Sequence, residues 1–178
     1  MAMEFMNTKQ SQSPTWQWVL VIILFLAFSR LIPHPPNFTP LGAMALLAGA
    51  NFKDIRVALL IPIIAMLISD AMIGLHSSML YVYGSVVLII VSSHLFIKKC
   101  TLLTMGLGAL ASAVVFFLTT NFGAWLSHEM YPRTLEGLQQ AYVAGIPFFR
   151  NTLMSNLLFT AVGFYALRQL PDRQTAKS

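Results

Sequence analysis

Apolar residues along this chain fall into five long runs separated by short polar stretches. A helix needs about 17–25 mostly apolar residues to cross the hydrocarbon core of a bilayer, and each of the five runs is long enough. They predict membrane-spanning helices at residues 16–32, 55–73, 79–97, 102–126 and 146–167.

A sixth apolar run, residues 40–52, is shorter than the others. Thr39 suits the N-cap position and Pro40 the first helical position, so this run also predicts a helix. Its 13 residues would rise only about 20 Å, less than the ~30 Å of the hydrocarbon core. The helix is therefore either a short span buried among the others or a re-entrant segment.

The distribution of lysine and arginine distinguishes these two alternatives. If all six segments cross and the N-terminus is inside, eight of the eleven basic residues lie on the inner side and three on the outer side. Basic residues concentrate in cytoplasmic loops, and this bias weakens if the short segment does not cross. The sequence thus predicts an all-α membrane protein with six transmembrane helices, the second short, and with both termini cytoplasmic.

The composition agrees with a membrane protein. Apolar residues make up 57% of the chain and charged residues 10%, against about 45–50% and about 25% in soluble domains. The net charge of +5 then reflects topology, so we expect a lipid bilayer around the chain and no nucleic-acid partner. We predict one membrane domain at residues 16–168, cytoplasmic tails at 1–15 and 169–178, and a location in the bacterial inner membrane.

Three ionisable residues lie within the predicted spans, where charges are costly and usually mark a function or a buried pair. Arg30 is near the end of the first span, Asp70 near the end of the third, and Arg150 about one turn after Ile146, where the sixth is expected to begin. The topology places all three near the outer face. If they share a cavity, one positive charge is left for an anionic ligand group. A structural ion pair between Asp70 and one arginine is the alternative.

Other polar residues gather on the same side and predict an outward-facing substrate site. The candidate binding residues are Arg30, His34, Asn37, Asp70, His76, Tyr83, Asn121, Arg150 and Asn151. The outer histidines lack the spacing of a helical metal site, so we expect no metal, and the sequence indicates no cofactor. Ala45 and Gly49 on the second helix permit close helix approach, which favours either internal packing or docking of a partner membrane protein.

Enzyme motifs are missing from the chain. It contains no Gly-x-Ser-x-Gly elbow, no His-Glu-x-x-His helix and no P-loop. Asp70 is the only acidic residue clearly within a predicted span, which disfavours chemistry by two carboxylates. We expect a protein that is not an enzyme. It is either a transport protein for a small molecule or an accessory or assembly subunit with no ligand of its own.

Three blocks of sequence resemble a family of small bacterial membrane proteins described only as candidate transport proteins. The first is residues 30–41, RLIPHPPNFTPL; the second joins Ser69-Asp70, Gly74-Leu75-His76 and Val82-Tyr83; the third lies within residues 131–153. That family is in turn similar to the S components of energy-coupling-factor vitamin transporters. The resemblance implies an S-component-like bundle of six helices with a vitamin site near the outer face.

The resemblance also implies uptake of a small vitamin-like substrate across the inner membrane, with cobalamin as the candidate suggested by solitary S-component-like proteins. A cysteine ligand for cobalt is not available on the outer side, because Cys100 is predicted to be cytoplasmic. S components that dock on a shared energising module carry an Ala-x-x-x-Ala face on their first helix. Here the first helix has only Ala27, and the nearest equivalent is Ala45 to Gly49 on the second.

Overall fold

The computed structural model describes residues 16–74, 77–127 and 129–169, and its regular structure is entirely helical. The helices are α1 (Trp16–Phe28), α2 (Leu41–Asn51), α3 (Ile55–Ile73), α4 (Met79–Phe96), α5 (Leu102–Ser127) and α6 (Leu135–Gln169), with a single 3-10 turn, Ser29–Leu31, directly after α1. The described residues include no strand. The all-α prediction is therefore confirmed. The predicted tails, apart from Gln169, lie outside the described residues.

The shortest α-helix, α2, is the centre of the bundle. Every residue from Leu41 to Gly49 is buried, and α2 contacts all five other α-helices. Its small residues make this possible, since a Cβ at Gly49 would clash with the carbonyl oxygen of Ile90 on α4. Ala45 is also fully buried. Ala45 and Gly49 thus pack inside the bundle and form no surface for a partner protein in this structure.

With 11 residues, α2 rises about 16 Å, from the loop before it toward the turn that carries Cys100. The thiol of Cys100 lies 3.7 Å from the carbonyl oxygen of Ala50, which brings the α2–α3 and α4–α5 turns to one end. Asn151, near the middle of α6, donates its side-chain N–H to the carbonyl of Pro36 at 2.9 Å, which places the loop before α2 beside that helix. We name the side of the bundle at Cys100 the Cys100 end and the side at this loop the loop end.

The surface of the bundle is that of a membrane protein. Three helices, α3, α4 and α5, are long and apolar enough to cross a membrane. Large apolar side chains such as Phe25, Leu80 and Leu103 are exposed, whereas polar residues such as Asp70 and Asn156 are buried. A soluble protein has the opposite distribution. Of the six predicted crossings, these three meet the requirements of length and apolarity by themselves.

The start of α6 differs from the prediction. The helix begins at Leu135 rather than Ile146, because Thr134 caps it by accepting a hydrogen bond from the backbone N–H of Gly137 at 3.2 Å. Pro147 is therefore inside the helix. It removes one backbone hydrogen bond without ending the helix. The prediction that the sixth helix begins at Ile146, about one turn before Arg150, was wrong, because residues 135–145 are helical as well.

The beginning of α2 also shifts by one residue. Its N-cap is Pro40 rather than Thr39, and no side chain makes a capping hydrogen bond there. The first turn is instead closed by the backbone, where the N–H of Met44 donates to the carbonyl of Pro40 at 2.8 Å. Burial among five helices, rather than a strong cap, therefore stabilises this short helix.

The packing of α2 can be tested with a pair of glycine substitutions. We expect Gly49→Ala to destabilise the protein by about 1–3 kcal/mol, the usual cost of overpacking, because the added methyl group meets the α4 backbone. Gly84→Ala is the matched control, since a Cβ at Gly84 would meet nothing within 4 Å. Thermal unfolding in detergent should show a lower midpoint for Gly49→Ala alone. Equal midpoints for the two variants would contradict the close approach of α2 and α4.

Candidate functional site

A buried ion pair joins three segments of the chain at the loop end. Arg30 Nη2 lies 2.6 Å from Asp70 Oδ1, and the two side chains are only 9% and 2% exposed. Arg30 Nη1 donates to Ser69 Oγ at 2.7 Å, and the hydroxyl of Tyr83 donates to Asp70 Oδ2 at 2.7 Å. Each carboxylate oxygen therefore accepts a hydrogen bond, and the 3-10 turn after α1 is tied to α3 and α4.

The structure thus brings together three of the predicted site residues, Arg30, Asp70 and Tyr83. The carboxylate and the guanidinium neutralise each other, so this network leaves no net charge for a ligand. It is the structural ion pair that the sequence left as an alternative. Ser69 was not singled out from the sequence, although its position next to Asp70 on a buried helix face explains its role.

Arg150 does not join this network. It is exposed on α6 and has neither an ion pair nor a hydrogen-bond partner among the residues the structure describes. Helical spacing places it on one face with Val143, Ile146 and Met154, which are all exposed. The three charges of Arg30, Asp70 and Arg150 therefore do not share a cavity.

A separate cleft of about 240 Å³ opens near the loop end, with α5 and α6 forming most of its wall. Two predicted site residues line it, Asn37 from the loop and Asn121 from α5. The full lining consists of Asn37, Thr120, Asn121, Ala124, Tyr131, Ala141, Ala144, Gly145 and Phe148. None of these nine residues is charged. The cleft therefore offers neutral hydrogen-bonding groups beside a largely apolar surface.

The polar groups of the cleft have defined positions. Asn121 Nδ2 donates to the carbonyl of Phe117 on its own helix at 2.8 Å, which orients the amide. Gly145 on α6 makes room for this amide, because a Cβ there would clash with Asn121 Oδ1. Asn37 adopts a left-handed conformation with φ of 60°, which asparagine tolerates better than most residues. Helix packing on one side and a loop conformation on the other thus fix the two asparagines.

The segment that leads into α6 is held against the end of α5. Trp125 Nε1 donates to the carbonyl of Pro132 at 2.9 Å, and Arg133 donates to the carbonyl of Trp125. Further along, the hydroxyl of Tyr142 donates to the carbonyl of Leu118 at 2.9 Å. These contacts give the cleft an ordered wall beside Tyr131.

His34 and Asn151 were also predicted as site residues, and neither lines the cleft. His34 is exposed, and its Nδ1 lies 2.6 Å from the carbonyl oxygen of Ile32. Asn151 holds the loop that carries Asn37 through its hydrogen bond to Pro36. His76 lies outside the described residues. The sequence missed Thr120, Tyr131 and the small residues of the cleft, because a small residue that lines a cleft has no chemical signature of its own.

The fold and the site together define a helical membrane protein with a neutralised ion pair and a polar cleft at one end. The chain matches DUF6580, a family of unknown function, over residues 10–177, and it belongs to that family. No curated protein and no solved structure matches it.

The ion-pair network generates a stability prediction. We expect Asp70→Asn to destabilise the protein by about 3–5 kcal/mol, because it leaves the buried guanidinium of Arg30 without a counter-charge. Tyr83→Phe is the milder variant and should cost only about 1–3 kcal/mol, since it removes a single hydrogen bond to Asp70. Thermal unfolding of both variants in the same detergent measures the difference. A Tyr83→Phe effect as large as that of Asp70→Asn would show that charge pairing is not the main contribution.

Proposed function

We propose that this protein is a six-helix transport protein of the bacterial inner membrane that takes up a small, vitamin-like molecule from the outer face. The observation that carries the proposal is the cleft, where neutral polar groups converge at one end of a bundle whose exposed surface is apolar. Sites of this kind, mostly apolar with a few placed polar groups, are typical of small-molecule binding.

Crossing by all six helices is part of the proposal. The 35 residues of α6 rise about 52 Å, longer than a bilayer core. Its polar residues Thr152, Asn156 and Thr160 are buried inside the bundle, so they lower its hydropathy without facing lipid. The position of α2 between the loop end and the Cys100 end supports a short crossing. Basic residues at the Cys100 end, which include Lys53 and Lys98, favour that end and both termini as cytoplasmic.

The lining of the cleft favours an uncharged ligand over the anionic one expected from the sequence. Asn37 and Asn121 offer amide groups, while Phe148 and three alanines offer apolar contact. The volume of about 240 Å³ lies below the ~300–1,000 Å³ of typical ligand sites. A small ring compound with a few hydrogen-bonding groups suits this space better than cobalamin, whose corrin ring would require α5 and α6 to move apart.

In this mechanism the ion-pair network holds one part of the helix bundle together. It ties the end of α1 to α3 and α4, whereas α5, α6 and the loop at Asn37 form the cleft. Release of the ligand to the inside then requires α5, α6 and the loop at Asn37 to move relative to α1, α3 and α4. The chain has no P-loop, so an energising membrane module is the proposed source of any ATP-driven step.

An accessory or assembly subunit without a ligand is the second candidate. Two observations favour it: the cleft is small, and the Arg30–Asp70 pair satisfies itself without any bound molecule.

Two neighbouring substitutions on α6 separate these candidates. We expect Ala144→Phe to abolish retention of a small molecule that co-purifies with the wild-type protein, because Ala144 lines the cleft and the added ring fills it. Val143→Phe adds a ring one residue away, at a position that is 65% exposed and outside the cleft, so retention should be unchanged. Mass spectrometry of extracts from equal amounts of each protein measures the difference.

The transport proposal fails if no small molecule accompanies the wild-type protein from cells grown in rich medium. It also fails if Ala144→Phe and Val143→Phe retain the molecule equally, since the ligand would then lie elsewhere. The first of these results would favour the accessory subunit.

A further inference from the structure

An exposed stripe on α6 carries a cation without a partner. Arg150, Met154, Leu157 and Ala161 are exposed and follow one another at intervals of four, three and four residues, which places them on one helix face. The largely buried Phe164 continues this face. Met154 and Leu157 are 51% and 43% exposed. Among the described residues nothing pairs with the guanidinium of Arg150. This stripe is on a different face of α6 from the cleft lining residues Ala144 and Phe148.

Further toward the Cys100 end, the same stripe becomes one wall of an apolar groove. The groove lies between α5 and α6 and has a volume of about 250 Å³. Leu157, Ala161 and Phe164 line it from α6, and Gly106 and Ala109 line it from α5. A Cβ at Gly106 would meet nothing within 4 Å. The described residues therefore leave the space above Gly106 unfilled.

The distance between Arg150 and the groove corresponds to the thickness of one lipid leaflet. Asn151, next to Arg150, bonds to the loop at Pro36, so Arg150 is level with the loop before α2. Leu157 lies about 10 Å and Phe164 about 21 Å along the helix from Arg150, and half of the hydrocarbon core measures about 15 Å. A lipid whose headgroup reaches Arg150 can therefore place an acyl chain in the groove.

We propose that Arg150 and the α5–α6 groove bind one phospholipid, with the phosphate on the guanidinium and an acyl chain between Gly106 and Phe164. A guanidinium matches a phosphate with two parallel hydrogen bonds. The side chain of an arginine near the end of a span reaches the headgroup layer while its stem stays on apolar surface. The proposal is independent of the transported molecule.

The lining of the groove favours a hydrocarbon chain over a helix from a partner protein. Apart from Thr160, every lining residue is apolar or a glycine, and Thr160 is only 2% exposed. Its hydroxyl oxygen is itself buried, so the accessible surface of the groove offers no hydrogen-bonding group to a docked helix, whereas an acyl chain needs none.

The test uses the full chain, delipidated in detergent and titrated with long-chain phosphatidylglycerol, with bound lipid counted by native mass spectrometry. We expect one lipid per wild-type chain and about a tenfold weaker affinity for Arg150→Gln, since the variant lacks the charge-assisted bonds. Arg56→Gln, which removes an exposed cation at the Cys100 end, is the control and should bind like the wild type. Diacylglycerol and glycerol phosphate should each bind more weakly than the intact lipid.

The groove is tested by Gly106→Leu, which should weaken lipid binding about tenfold by filling the space with side chain. Gly84→Leu is its control, because Gly84 is exposed on α4 away from the groove. Equal binding by Arg150→Gln and wild type, or by Gly106→Leu and Gly84→Leu, would overturn the proposal.

Discussion

The complete burial of α2 is the constraint on which the rest of the structure depends. A helix of 11 residues is marginal alone, and here five helices enclose it because Gly42, Ala45 and Gly49 leave room for their approach. The position of α2 in turn fixes the loop that precedes it. That loop brings Asn37 to the cleft and Pro36 to Asn151, so the candidate site is an extension of the core packing.

The loop end has two parts that differ in charge. Arg30 and Asp70 are buried and balanced, with Tyr83 completing the carboxylate's hydrogen bonds. Such a pair specifies how three segments meet and offers little to a ligand. The cleft has the opposite character, because its groups are neutral and open. Arg150 belongs to neither part and is exposed on α6.

Some of this arrangement could be predicted from the sequence. The proximity of Arg30, Asp70 and Tyr83 followed from their positions near helix ends on one side of the predicted topology. The direction in which the Arg150 side chain points could not be predicted. The sequence gives the position of Arg150 along α6, but the rotation of α6 about its axis depends on its packing against α5 and α2. The start of α6 was missed because Pro147 resembles a first-turn proline. The alanines and Gly145 of the cleft could not be predicted, because their contribution is the empty space beside their small side chains and not a chemical group.

The central claim, that the cleft faces the outside of the cell, can be measured by cysteine labelling with a membrane-impermeant maleimide. Cys100 is the only native cysteine and lies at the Cys100 end. We predict that intact cells label Thr120→Cys in a Cys100→Ala background, while wild-type Cys100 is labelled only after the membrane is permeabilised. Labelling of wild-type Cys100 in intact cells, with Thr120→Cys protected until permeabilisation, would contradict it.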